Sequence, residues 1–212
     1  MKSELDTWYN PLLKWNVLSD RTKDNIDNIY EMGRVFPDRN NVFRAFRECP
    51  YGRVRVVMIF QDPYHDGSAT GIATANESNK LSPTLRNMFR ELESEYGTCD
   101  VNPNLLSWCK QGVLMLNTAL TVDQGSPGSH LQMWSKWTTN FIIGLSSSKT
   151  LVWVLFGKKI QEYESLISRG IVVKCVHPAA ESFKPNAGFF GSNIFKNINK
   201  KLGSNIIWNE QI

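Results

Sequence analysis

The 212-residue chain contains no apolar run approaching the roughly 20 residues that a bilayer-spanning helix needs. Its opening, MKSELDTWYN, lacks the continuous apolar stretch of a signal peptide, so a cytoplasmic protein is expected, or a nuclear one if the source has a nucleus. Cysteine is scarce. Cys49, Cys99, Cys109 and Cys175 include no CxxC pair and fall short of a disulfide scaffold, so they are expected to be reduced and mostly buried. There are only three histidines and no HxxxH pair, and no GxGxxG, Walker loop or GxSxG elbow occurs. These absences argue against dinucleotide enzymes, P-loop NTPases and α/β-hydrolases. No repeat, low-complexity tract or Gly/Ser/Pro-rich linker divides the chain, and one domain over residues 1–212 is expected. Neither sign of charge dominates: 24 Lys and Arg against 20 Asp and Glu leave a net +4, which suits nucleic acid but equally a small-metabolite enzyme.

What the chain does have is four short, strongly apolar segments: VRVVMIF (54–60), GVLMLN (112–117), TLVWVLF (150–156) and IVVKCVH (171–177). Their length and β-branched content favour buried strands over helices. Helical patterns lie between them. Over 82–97, Ser82 is placed to cap, Pro83 to open the first turn, Leu85, Met88, Phe89 and Leu92 to form the apolar stripe, and Gly97 to stop it. KKIQEYESLISRG (158–170) and SNIFKNINKKLG (192–203) also end in glycine, and NNVFRAFREC (40–49) precedes the first strand. The alternation predicts an α/β single domain, with a central four-stranded, mainly parallel sheet flanked by helices on both faces.

In an open parallel sheet, ligands sit beyond the carboxyl ends of the strands. Three of the four segments end there in polar groups: Gln61 and Asp62 after the first, Asn117 closing the second, His177 closing the fourth. The third ends in Gly157-Lys158, a bare backbone and a cation suited to a phosphate. Each residue alone has a plain reading. Asp62 before Pro63 can be a turn former, Asn117 a strand-end residue bonding the next turn, and His177 before Pro178 a core histidine. An acid, an amide and an imidazole on one edge together point to a site. His130 falls in the turn GSPGSH. A metal site from Asp62, His65, Asp66 and His177 is conceivable but lacks ligand spacing, so no metal and no cofactor is expected. Trp108, Trp134, Trp137 and Trp153 are assigned to packing.

At these residues the sequence closely resembles family 1 uracil-DNA glycosylase, along nearly the whole chain. VFPDRNNVFRAFRECP resembles the lead-in helix of that family, QDPYH its water-activating loop, and SPTLRNMFREL its phosphate-touching loop and helix. QGVLMLNTALTV and the following SH resemble the uracil-reading strand and its loop, VLFGKK the Gly-Ser loop region, and HPAAESF…GFFG with IFKNINKKL the minor-groove loop and last helix. The resemblance implies a metal-free enzyme of base excision repair. It would flip uracil out of DNA and hydrolyse its N-glycosidic bond, leaving free uracil and an abasic site. Asp62 and His177 are implied as catalytic, Gln61, Tyr64, Asn117 and, in place of a family phenylalanine, Thr74 as uracil-binding, and His65, Thr84 and Lys158 as phosphate contacts.

The departures cluster in substrate grip. TGIATA puts Thr74 where the family has a phenylalanine under the uracil ring. HPAAESFKPNAGFFG has Ala179 and Ala180, and carries Glu181 at the position of the family's wedge leucine. Glu181 is expected to repel phosphates, so Phe183 is expected to be the wedge, with Ser182 and Lys184 beside the DNA backbone. Phe60 replaces the glycine before QDPYH, which should alter the path of the water loop. A divergent viral or phage member would fit. The partners implied are uracil-containing DNA, single- or double-stranded, and further candidates are DNA-mimicking inhibitor proteins or replication proteins; a monomer is expected. Two other functions stay open: a weakly active or inactive DNA-binding replication or processivity accessory of the same fold, and a hydrolase of free deoxyuridine or its monophosphate.

Overall fold

The computed structural model describes residues 5–78 and 81–210, so the first four residues of the MKSELDTWYN opening lie outside it. In chain order the elements are α1 (Tyr9–Lys14), α2 (Asp20–Met32), β1 (Val35–Phe36), α3 (Arg44–Glu48), β2 (Val56–Phe60), α4 (Pro83–Tyr96), α5 (Leu106–Lys110), β3 (Val113–Asn117), β4 (Val122–Asp123), α6 (Leu131–Ser148), β5 (Val152–Phe156), α7 (Lys158–Gln161), β6 (Ile171–Cys175) and α8 (Ile194–Leu202). The four apolar segments form one parallel sheet in the order β3-β2-β5-β6. Every residue of β2 and β5 is buried, which is why both read as continuous apolar runs and not as alternating ones. β6 lies at an edge and exposes Ile171 and Lys174. One hydrophobic cluster takes in residues from Leu5 to Trp208, including the buried rings of Trp108, Trp134, Trp137 and Trp153.

The topology fixes where a ligand can sit. From β2 the chain crosses to β3 on one side, then passes back over to β5 and on to β6 on the other. Right-handed crossovers in opposite directions put α4 and α5 on one face and α6 on the other. The direction reverses at β2, so the crevice opens at its carboxyl end, where FQDPYH begins. Register aligns Phe60 with Asn117 and Phe156 with Cys175, so all four strands stop at one level.

α4 follows its sequence signals: Ser82 Oγ accepts from the Leu85 N–H at 3.1 Å, and Gly97, at φ 80°, takes the left-handed cap. Segment 158–170 departs from the expected helix. α7 ends at Gln161 and a 3-10 turn follows over Glu162–Leu166. Ser146 of α6 captures that turn by donating to the Leu166 carbonyl (3.4 Å) and accepting from the Ser168 N–H (3.2 Å). The 40–49 segment is likewise split, into a 3-10 turn at Arg39–Asn41 and the short α3.

Helices α2 and α6 carry weak sequence signals. α2 buries only Ile26, and α6 breaks its buried apolar face with Thr138, Gly144 and Ser146 and opens without a side-chain cap. The antiparallel β1–β4 ribbon is too short to show a period. No helix among the described residues is long and apolar enough to cross a membrane. All four cysteines are free, with Cys49, Cys109 and Cys175 buried.

Loop 70–75, which brings Thr74 to the crevice, is seated on α3: the Ala45 N–H donates to the Gly71 carbonyl (3.2 Å) and Arg44 Nη1 to the Thr70 carbonyl (3.3 Å). A Cβ on Gly71, at φ 85°, would fall 1.9 Å from Asn41 O and 2.9 Å from Arg44 Cβ. Gly71→Ala is therefore expected to cost about 3 kcal/mol, read as a lower denaturant midpoint at unchanged slope. Gly52→Ala, where a Cβ meets nothing within 4 Å, is the control and should stay within about 0.5 kcal/mol.

Candidate active site

Phe60 ends β2 inside the sheet and not in the loop. Its ring stacks on Phe156 (4.7 Å, 12°) and stands edge-on to His177 (6.0 Å, 87°). Beyond it the ends of β2 and β3 are tied together. The Thr118 N–H donates to the Phe60 carbonyl (2.9 Å), and the Gln61 carbonyl accepts from the Ala119 N–H (3.0 Å) and Thr118 Oγ1 (2.7 Å). A cavity of about 190 Å³ opens here. Gln61, Asp62, Tyr64, His65, Thr74, Thr84, Asn117 and His177 all line it, with Phe60, Pro63 and Pro127. The structure thus gathers residues separated by more than 110 positions of sequence. Lys158, Ser182, Phe183 and Lys184 are exposed and outside the cavity wall.

Asp62 is held from two sides. Its Oδ1 accepts from Gln61 Nε2 (3.2 Å) and its Oδ2 from the Gly128 N–H (2.6 Å). Gly128 belongs to the GSPGSH turn, and here His130 acquires a place that sequence reasoning missed. Trp134 Nε1 donates to Thr121 Oγ1 (2.7 Å), which leaves the hydroxyl proton for His130 Nδ1 (2.9 Å). Nε2–H then faces Asp123 Oδ1 at 3.1 Å. The network pins both ends of the turn whose Gly128 N–H holds Asp62. The only sequence signal was the histidine itself, next to a glycine-rich turn.

His177 Nδ1 accepts the Ala179 N–H at 3.2 Å, so the neutral ring carries its proton on Nε2. Burial pushes the imidazole pKa below 6.5, against the pull of the Asp62 carboxylate, and the ring is neutral at pH 7. A Cβ on Gly157 would lie 3.3 Å from His177 Cβ, so this glycine, at φ 88°, leaves room for the histidine.

Tyr64 ends a relay that starts at the cap of α4: the Leu85 N–H donates to Ser82 Oγ (3.1 Å), Ser82 Oγ–H to the Tyr64 hydroxyl (2.5 Å), and the hydroxyl to the Thr74 carbonyl (3.1 Å). Burial raises the phenol pKa, with the Ser82 and Thr84 contacts opposing, so the ring stays neutral in a fixed position. Among the described residues five buried polar side-chain atoms have no hydrogen-bond partner, and two of them, Asn117 Oδ1 and Thr74 Oγ1, belong to residues of this cavity. Orphaned buried acceptors are costly, so their pairing in one cavity is what a waiting polar ligand would explain. Asp66 spends its carboxylate on Ser68 N (3.0 Å) and Oγ (2.6 Å), and no group of three or more His, Cys, Asp or Glu among the described residues is disposed to hold a metal.

The segment after β6 gives the Glu181 carboxylate a structural place that its sequence position did not suggest. The carboxylate accepts four consecutive backbone N–H groups, from Ala187 (3.1 Å), Gly188 (2.8 Å), Phe189 (2.7 Å) and Phe190 (3.3 Å). Desolvation alone would raise its pKa, but those four donors together hold it below the usual carboxylate value. Two further carboxylates extend the clamp: Glu91 of α4 binds Gly191 N (2.8 Å) and Asn193 N (2.9 Å), and Glu95 binds Phe195 N (3.1 Å) and Lys196 N (2.7 Å). Asn87 Nδ2 donates to the Pro178 carbonyl (2.8 Å) and to Ser182 Oγ (3.0 Å). The loop so fixed presents Phe183 at 85% exposure, next to Lys184. Sequence reading missed Asn87, Glu91 and Glu95. Their signal was present as polar residues on the buried face of α4, beside Met88 and Leu92.

Residues 46–203 match the family described as the Uracil DNA glycosylase superfamily. Mimivirus uracil-DNA glycosylase is similar in structure, with a TM-score of 0.84 at 20% identity over 99% of this chain and 87% of that one. A mimivirus UNG variant in complex with UGI gives a TM-score of 0.84 at 20% identity, covering 98% of this chain and 90% of that one. UNG from Nitratifractor salsuginis gives 0.70 at 20% identity over 93% and 91%. At this identity the likenesses establish a shared fold.

Proposed function

The chain belongs to the uracil DNA glycosylase superfamily, and from that premise we propose that it hydrolyses the N-glycosidic bond of uracil in DNA, leaving free uracil and an abasic site for base excision repair. The observation that carries this reading is the unpartnered, buried Asn117 Oδ1 in one cavity with Asp62 and His177. A base stacked in DNA cannot reach such a cavity, so it must be flipped out, at a cost of a few kcal/mol. Asn117 Oδ1 then accepts from uracil N3–H while its amide nitrogen donates to O4, a pattern that cytosine, with an acceptor at N3 and a donor at C4, does not match. Tyr64, fixed through its hydroxyl, stands against C5 and excludes the thymine methyl. Gln61 contributes through its backbone.

As the bond from C1′ to N1 breaks, the sugar becomes cation-like and the base leaves as an anion with charge on O2. His177 Nε2–H donates to that oxygen, and Asp62 stabilises the sugar cation and orients the water that adds to C1′. A single carboxylate serves here, where most sugar hydrolases use a pair. His65 and Thr84 on the cavity wall and the exposed Lys158 take phosphates, and the exposed Ser182 and Lys184 take the backbone near the flipped nucleotide. Phe183 enters the duplex as a wedge in the vacated stack. UGI accompanies a mimivirus relative in a crystal, and a DNA-mimicking inhibitor protein is the protein partner we propose for this chain. We also take residues 1–212 as one domain and the protein as a monomer.

Phe183→Ala is expected to lower kcat/KM on duplex uracil substrates about tenfold or more, since a lost wedge forfeits part of the unstacking energy, and to leave single-stranded substrates within about twofold. Glu181→Ala, which frees the clamped loop, is expected to produce the same duplex-selective loss. The test is the ratio of the two rate constants for each variant.

The function itself is tested with a chelator present, on matched single- and double-stranded oligonucleotides carrying one U, T or C, followed by alkali. Breaks at U alone support the proposal. DNA binding without breaks would favour an accessory protein, and release from free deoxyuridine without need of a polymer would favour a nucleoside hydrolase.

A further inference from the structure

Thr74 is built unlike a residue that only fills a wall. Its φ is 63°, in the left-handed region that a β-branched side chain rarely adopts. The conformation is imposed from outside. The Tyr64 hydroxyl holds the Thr74 carbonyl at 3.1 Å, the Ala73 N–H is fixed on the Met115 carbonyl at 3.2 Å, and the Ala75 N–H on the Ile72 carbonyl at 3.2 Å. A glycine would take this backbone without strain, and an alanine or valine would fill the wall without a polar atom. The residue present brings a hydroxyl instead, and its Oγ1 is buried with no partner. Strain at one residue, held by its neighbours and ending in an unsatisfied polar atom, is a pattern of functional sites.

Asn117, on the same cavity, offers the second unsatisfied atom, Oδ1. An acceptor and a hydroxyl on one small cavity match a ring in which an imide N–H is flanked by carbonyl oxygens. We infer that Thr74 is a specificity-determining residue whose Oγ1–H donates a hydrogen bond to a carbonyl oxygen of the extruded pyrimidine base, while Asn117 Oδ1 takes the imide N–H. This deepens the reading of the cavity as a uracil site and rests on it. The contact forms with the base whether or not the sugar bond is breaking, so it acts on binding of substrate and product alike.

The experiment compares the wild type with Thr74→Val and Thr74→Ser, measuring uracil release from oligonucleotides, affinity for free uracil by calorimetry, and thermal unfolding of the unliganded proteins. Valine keeps the β-branch and removes the hydroxyl; serine keeps the hydroxyl. Thr74→Val is expected to weaken free-uracil binding about tenfold and to raise KM with kcat held. It should melt no lower than wild type, because it loses a buried polar atom with no partner. Thr74→Ser is expected to stay within about twofold of wild type in binding. Equal uracil affinity in wild type and Thr74→Val would overturn the inference, as would a loss shared by both variants together with lowered melting. If the wild type releases no uracil from DNA, the glycosylase reading fails separately. The calorimetry still decides for Thr74, since a wild type that binds no uracil overturns the contact and a hydroxyl-dependent affinity upholds it.

Discussion

Asp62→Asn and His177→Leu are each expected to lower kcat for uracil release by about 10²–10³-fold, with DNA binding retained. The expectation rests on position as much as on identity. Asp62 is fixed by the Gln61 amide and the Gly128 N–H, so its carboxylate cannot swing away from the cavity, and the asparagine variant keeps the shape while losing the charge. His177 presents Nε2–H because Ala179 N–H occupies Nδ1. If Asp62→Asn retained wild-type kcat in single-turnover experiments, the cavity would not be the reaction centre.

The same histidine fixes the sign of a pH dependence. Burial lowers its pKa below 6.5, so the neutral form that donates to the leaving oxygen persists to more acid pH than an ordinary histidine would allow. Activity controlled by His177 should fall off at a more acid pH than an ordinary histidine would give. For stability, a folded-state pKa below the unfolded value means that the unfolded chain binds the proton first. Stability is therefore lost as pH falls through 6.5 toward the folded-state value and is unaffected above it. His177→Leu should remove that loss, giving a flatter stability profile on the acid side in denaturant titrations.

Asn117→Leu is expected to lower kcat/KM for uracil about 10²–10³-fold, because it deletes two hydrogen bonds to the base and leaves the imide of the base unpaired in a buried site. Its effect on stability should have the opposite sign. In the unliganded protein Asn117 Oδ1 is buried without a partner, so the near-isosteric leucine should melt no lower than wild type. A leucine variant that released uracil at the wild-type rate would mean that the base is read elsewhere.

Much of this centre was legible in the sequence for one reason. Strands covered on both faces must be apolar throughout, so the residues that interrupt them at their carboxyl ends stand out: Gln61 and Asp62 after β2, Asn117 at the end of β3, His177 after β6. The cap and stop of α4 were legible because Ser82, Pro83 and Gly97 act on backbone groups within a few residues of themselves. The helix expected over 158–170 failed because Ser146, some 20 residues earlier, competes for its last turn. The structural part Glu181 plays was invisible for a related reason. A carboxylate in a loop reads only as a charge until the chain folds back and brings four N–H groups onto it.

The sequence by itself determined the sheet, the edge on which chemistry could gather and the residue types that stand there, since hydrophobic burial and local capping are written in patterns a few residues long. Tertiary structure alone decided which of those groups are satisfied and which are left waiting. Asp62 owes its orientation to Gly128, His177 its tautomer to a turn of its own loop, and Thr74 its strained backbone to Tyr64. Whether a polar atom has a partner depends on distances of about 3 Å between segments far apart in the chain, and no local pattern of residues encodes that.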